Sequence, residues 1–76
     1  MSQINNHNIS SQVSQKIKFL RNQKNITLEI FYFDTGIHLA RIEQGKTNIT
    51  VNTLLKICEY LEISLSDFFK NIQNQP

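Results

Sequence analysis

One cysteine and two glycines stand in a chain of 76 residues. Cys58, alone, excludes an internal disulfide and any cysteine-based zinc cage, and as a small apolar group it is expected in the core. A reducing, cytoplasmic setting fits it. No glycine-rich phosphate loop is present, nor a nucleophile with a matched base, nor paired catalytic carboxylates, so no enzyme is expected. No apolar run approaches the ~18 residues that would read as a membrane span. The polar start "MSQINNHNIS" lacks the basic head and apolar stretch of a secretory signal. Internal repeats and low-complexity linkers are missing too.

What is present is modest in size and charge. A domain of this length buries only about 60% of its unfolded surface, so its core is small and dimerisation would help it. The formal charge is +2, but it is unevenly spread. Residues 1–49 carry six basic against three acidic side chains, and residues 50–76 carry two against three. A polyanion would prefer the first part. An ordinary uneven surface explains the same numbers.

Apolar spacing predicts helices. Residues 1–9 read as a loose arm, with Ser10 or Ser11 capping a first helix whose Val13, Ile17 and Leu20 share one face. Phe19 falls off that stripe, and Asn25 suits a left-handed turn. Thr27 caps a second helix, with Ile26 as a staple and Glu29 in its first turn. "ITLEIFYF" has strand propensity, but no second strand is available to pair with it. Its large apolar groups are too many for one stripe, so some must face solvent or a partner. Asp34 or Thr35 then caps a third helix, with Leu39 and Ile42 inward and Gly45 as its stop. Thr50 caps a fourth helix, where Leu54, Cys58 and Leu61 share a face that Val51, Leu55 and Ile57 broaden. Ser64 and Asp67 have capping-box spacing ahead of Leu65, Phe68, Phe69 and Ile72. "QNQP", residues 73–76, reads as a frayed end. The expectation is an all-α, compact five-helix domain over residues 10–72, held by tertiary packing because each helix is marginal alone.

This layout, with "IKFLRNQKNIT" and "ARIEQGKTNITVNTLLKICEYLEISLSDFF" at their spacing, resembles the phage-repressor-like helix-turn-helix proteins of the Xre/Cro family. The likeness covers about residues 13–69. It implies a lambda-repressor-like fold whose second and third helices bind DNA, the third lying in the major groove. Arg21 matches the arginine closing the first helix and Glu43 the glutamate before the stop glycine, which in the family often pair beneath the surface. A guanidinium fork suits a carboxylate bidentately, so both are structural candidates. Thr27 matches a cap beside a backbone phosphate, and Lys46, Thr47 and Asn48 match a phosphate-contacting loop.

Three departures stand out. Between Thr27 and Gly45 the chain is about three residues shorter than the family pattern. Either the second helix has lost nearly a turn, which puts Thr35, Gly36 and His38 at the reading end of the third, or the third helix starts late, which leaves His38 and Arg41 to work alone. Leu28 stands where the family has a glutamine. Tyr32 stands where it has a small alanine at a close helix approach, and Ala40 opposite would have to give it room.

With Leu39 and Ile42 inward, His38 and Arg41 point outward together. Arg41 suits a guanine edge, a contact worth about 1–3 kcal/mol of discrimination; otherwise it is a solvated or acid-paired arginine. His38 meets a base or phosphate, or merely covers the helix start. A metal role for it is set aside, since its only histidine partner, His7, lies in the arm. Gln44 and Lys46 follow on the same side, Lys46 as a phosphate contact. Phe68, Phe69 and Ile72 are the dimer candidates, with Leu65 and Phe68 turned mainly inward. The expected function is a small dimeric regulator binding double-stranded DNA at a near-palindromic site, with no metal, cofactor or small-molecule effector. A phage-type repressor, a restriction–modification controller and an antitoxin-like autoregulator all fit. The alternative is a protein-interaction module on the same fold, an antitoxin or adaptor with little specific DNA binding.

Overall fold

The computed structural model describes residues 6–45, 48–70 and 72, with side chains described from residue 11 onward. Five helices follow in order: α1 (Asn6–Gln23), α2 (Leu28–Thr35), α3 (Leu39–Glu43), α4 (Val51–Tyr60) and α5 (Leu65–Phe68). No strand occurs among the described residues, so "ITLEIFYF" resolves as a turn and a helix.

α1 begins at Asn6, ahead of the expected caps Ser10 and Ser11. Ser10 and Ser11 fall within the helix, because a nucleated helix can extend beyond its apolar stripe into polar residues. Val13 and Ile17 are buried and Leu20 packs beside them. α1 closes on Asn25 at φ 58°, the left-handed conformation that asparagine tolerates. There the Asn25 N–H donates to the Asn22 carbonyl at 3.0 Å and the Ile26 N–H to the Arg21 carbonyl at 3.1 Å. This pair of bonds is a Schellman stop.

The same stop recurs after α4, where Glu62 sits at φ 60° and the Ile63 N–H reaches the Cys58 carbonyl at 3.0 Å. α4 starts on Thr50, whose hydroxyl accepts from the Thr53 N–H. Leu54, Ile57, Cys58 and Leu61 are buried in the core. Val51 and Leu55 do not broaden that face; both lie exposed on the outer side of the helix.

Ser64 caps α5 by accepting from the Asp67 N–H at 3.0 Å. α5 is shorter than its apolar spacing predicts. After Phe68 the chain tightens into three-residue turns, with Lys70 N–H on the Asp67 carbonyl and Ile72 N–H on the Phe69 carbonyl, both at 3.2 Å. Phe68 is 0% exposed and belongs to the core of this chain. As a dimer-contact candidate it is therefore corrected: a side chain with no surface left cannot meet a second copy. Phe69 keeps an exposed ring, and Ile72 is half-buried against the core.

Candidate nucleic-acid interface

α2 begins at Thr27, whose hydroxyl accepts from the Ile30 N–H at 3.1 Å. Only one of its aromatic residues goes inward. Phe31 is fully buried, with its ring edge-on to Tyr60 at a centroid distance of 4.8 Å. Ile30, Tyr32 and Phe33 face outward, and Phe33 is 88% exposed. Tyr32 is therefore not the residue wedged between helices, and Ala40 has no tyrosine to accommodate. Tyr32 lies on the surface, stacked on His38 with centroids 4.3 Å apart and planes 27° from parallel.

Thr35 does not cap α3. It ends α2, where its hydroxyl donates to the Phe31 carbonyl at 2.7 Å and accepts from the Ile37 N–H at 3.0 Å. Gly36 follows at φ 77°, and its N–H bonds the Tyr32 carbonyl at 2.7 Å. This is the left-handed exit that glycine adopts without steric cost. Asp34 does not cap α3 either; it accepts a hydrogen bond from the Tyr60 hydroxyl. That bond, with burial and the carboxylate charge behind it, pushes the Tyr60 phenol above the ordinary tyrosine value. Burial likewise pushes the Cys58 thiol up, which leaves it an inert core group.

Of the two ways to absorb the shortened segment, the structure takes the second. α2 keeps its two turns, and α3 starts only at Leu39. Five helical residues rise about 7.5 Å, which is short beside a major groove about 12 Å wide. Leu39 and Ile42 anchor the inner side, and His38, Arg41 and Gln44 lie exposed on the outer. His38 takes the N-cap position with no side-chain cap bond.

The far end of α3 is fastened firmly. Arg21 Nε donates to Glu43 Oε2 at 2.9 Å, and Nη2 donates to Oε1 at 3.1 Å. Its third arm, Nη1, donates to the Ile26 carbonyl at 2.8 Å. The two side chains are only 9% and 8% exposed. The Ser14 hydroxyl adds a bond to the Ile42 carbonyl at 2.9 Å. Gly45 then turns the chain at φ 75°.

The candidate DNA residues fall into separate groups. His38 sits with Tyr32 at the start of α3. Gln44 and Asn48 line an open groove of about 490 Å³, together with Ser14 of α1, Val51 and Phe69. Lys46 and Thr47 lie outside the described residues. Among the described residues no cluster of three metal-ligating side chains occurs, and no helix is long and apolar enough to cross a membrane. The Tyr32–His38 stack escaped the sequence reading. The two rings stand six positions apart, beyond the reach of one helix face, and meet only because Gly36 folds the chain back.

Two short helices joined by a glycine turn, the second pinned to α1 from behind, define a helix-turn-helix domain. A sequence model of the HTH_3 helix-turn-helix family matches residues 17–68, and the chain belongs to that family. Among curated proteins no sequence matches it. A solved structure described as an HTH_3 family transcriptional regulator from Vibrio cholerae is 35% identical and superposes with a TM-score of 0.73. The match covers 84% of this chain and 39% of that one, so the chain spans well under half of that protein's length.

Proposed function

We propose that this protein is a transcriptional regulator that binds double-stranded DNA in sequence-dependent fashion through the segment from Thr27 to Asn48. The observation that carries the reading is α3 itself. Its inner residues are anchored and its end is clamped, while His38, Arg41 and Gln44 are left on one exposed side. Arg41 and His38 are the base readers, with Gln44 beside them. Thr27, Lys46, Thr47 and Asn48 serve the phosphate backbone. Gly36, exposed and without a side chain, lets the turn approach the duplex closely, and Thr35 holds that turn from within. The relative described as a transcriptional regulator supports this assignment.

Two copies joined through Phe69 and Ile72 would place two reading helices about one duplex turn, near 34 Å, apart. A near-palindromic operator follows from that two-fold symmetry. A repressor acting through its own concentration is the simplest use of such a dimer.

Binding to the DNA upstream of its own gene, titrated across salt concentrations, tests the reading. Arg41→Ala lowers the preference for that site, whereas Lys46→Ala weakens all DNA about equally. Steep salt dependence with no preference over random duplex would sink specific recognition. Sedimentation of Phe69→Glu beside the parent chain tests the dimer, and an unchanged mass counts against this interface.

One observation favours a second reading. Ile30, Tyr32 and Phe33 leave α2 with an exposed apolar side, which suits a protein partner. A stoichiometric partner on copurification, without DNA binding at low salt, would establish that reading instead.

A further inference from the structure

His38 occupies the N-cap position of α3, where a short polar side chain usually bonds back to the first helical turn. It makes no such bond. Among the described residues no hydrogen bond reaches either ring nitrogen, and the imidazole lies exposed. Its ring stacks on the face of Tyr32. Imidazole donors and acceptors lie in the ring plane, so a stack on one face leaves both nitrogens directed outward from the edge.

We infer that Tyr32 is a positioning residue for DNA recognition, holding the His38 imidazole in the orientation it uses against a base edge or adjacent phosphate. The inference rests on the DNA-binding reading given above. α3 is too short to present a full row of reading side chains, so each one it has must be well placed. An exposed histidine samples several rotamers, and fixing one of them on binding costs affinity. Tyr32 removes part of that cost in advance. Its backbone is anchored, because it stands on α2 one residue from the buried Phe31 and its carbonyl accepts from the Gly36 N–H at 2.7 Å, and its ring, 48% exposed, is ordered by the stack itself. Gly36 and Ile37 form the bend that brings the rings face to face, with Ile37 packed against the core.

The test uses the full chain and duplexes enriched by it from a random-sequence pool. Tyr32→Ala should reduce the preference for enriched over unselected duplex by about 2- to 10-fold, the equivalent of ordering one side chain. Tyr32→Phe keeps the ring and should keep the preference. In a His38→Ala background, Tyr32→Ala should cost nothing further. Proton NMR gives a readout without DNA: the His38 ring protons are shifted by the adjacent ring current in the parent and in Tyr32→Phe, and lose that shift in Tyr32→Ala. Thermal melts of the variants confirm folding, since Tyr32 is not a core residue. A parent chain that enriches no sequence overturns the DNA reading and the role of Tyr32 with it. A parent that enriches, beside a Tyr32→Ala variant with undiminished preference, overturns the role of Tyr32 alone. Equal loss in Tyr32→Phe overturns the stack as the cause and assigns the effect to the hydroxyl.

Discussion

At its C-terminal end α3 is held by buried polar chemistry, the two-pronged Arg21–Glu43 pair and the Ser14 hydroxyl on the Ile42 carbonyl. At its N-terminal end it meets a glycine turn and a ring stack on the surface. The difference separates two tasks. A charge pair with almost no exposure fixes where the helix sits, because neither partner can leave without stranding the other. A stack of two exposed rings fixes only how one side chain points. The first sets the register of the helix against the domain, and the second adjusts what it presents.

The largest way to break this contrast is to strip the clamp. Glu43→Ala leaves the Arg21 guanidinium buried without its carboxylate, which costs about 3–5 kcal/mol. A chain of this size has a total stability of about 4–11 kcal/mol, so chemical denaturation should show a partly unfolded variant or one close to it. Replacing both partners, as Arg21→Met with Glu43→Leu, should recover most of the loss, since no buried charge is then left alone. A double variant as unstable as Glu43→Ala would mean that the pair supplies more than mutual neutralisation.

Phe31→Ala tests the support beneath the other end. Phe31 is the one α2 aromatic in the core, and its removal should cost about 3–5 kcal/mol in denaturant. Phe33→Ser, two positions on but 88% exposed, should stay within about 0.5 kcal/mol of the parent. Comparable losses at both positions would place the α2 face differently from the fold described.

These residues also show what the sequence made legible. Leu39, Ile42, Gly45 and the caps Thr27, Thr50 and Ser64 were readable because each rests on local spacing or on one hydrogen bond to a nearby N–H. The Arg21–Glu43 pair spans 22 positions, and only the family resemblance brought the two residues together. Which of Phe31, Tyr32 and Phe33 faces the core was not legible, because consecutive large apolar residues leave no stripe for periodicity to find. The sequence leaves two placements open for Thr35 and Gly36, at the start of α3 or ahead of a late-starting α3, and the structure puts them at the end of α2. Threonine chemistry is ambiguous there, since its hydroxyl can bond back to a carbonyl as readily as forward to an N–H, and here it does both. Glycine favours the C-terminal side of a helix, and that preference was the available signal for the exit of α2. The late start of α3 follows from it, and with it the short row of exposed α3 side chains.

Gly36→Ala sharpens the comparison at the turn with a smaller effect. A Cβ at Gly36 meets no atom within 4 Å, so the cost is the backbone strain of φ 77° alone. That strain is about 1–2 kcal/mol for an L-residue in the left-handed region. Gly36→Asn should cost less, because asparagine tolerates this conformation. Thermal melts of the two variants separate these outcomes, and equal loss would point to a steric clash instead of strain.

The smallest effect concerns the tether from the end of α2 to α4. The Tyr60 hydroxyl donates to Asp34, and this bond is the first cause of the raised Tyr60 value. A tyrosine in the unfolded chain ionises near pH 10. Raising the folded value favours the neutral phenol, so the contribution to stability is fully present below about pH 10 and is lost as pH rises through the higher folded value. Ultraviolet titration in a Tyr32→Phe background isolates Tyr60 as the single tyrosine. Asp34→Ala should move its midpoint down toward the ordinary value and remove the loss of stability above it. Because the Tyr60–Asp34 bond lies at the surface although the ring is half-buried, the change should register in the titration long before it registers in a melt. A midpoint indifferent to Asp34 would detach α2 from α4 at this point and leave Phe31 as the support beneath the N-terminal end of α3.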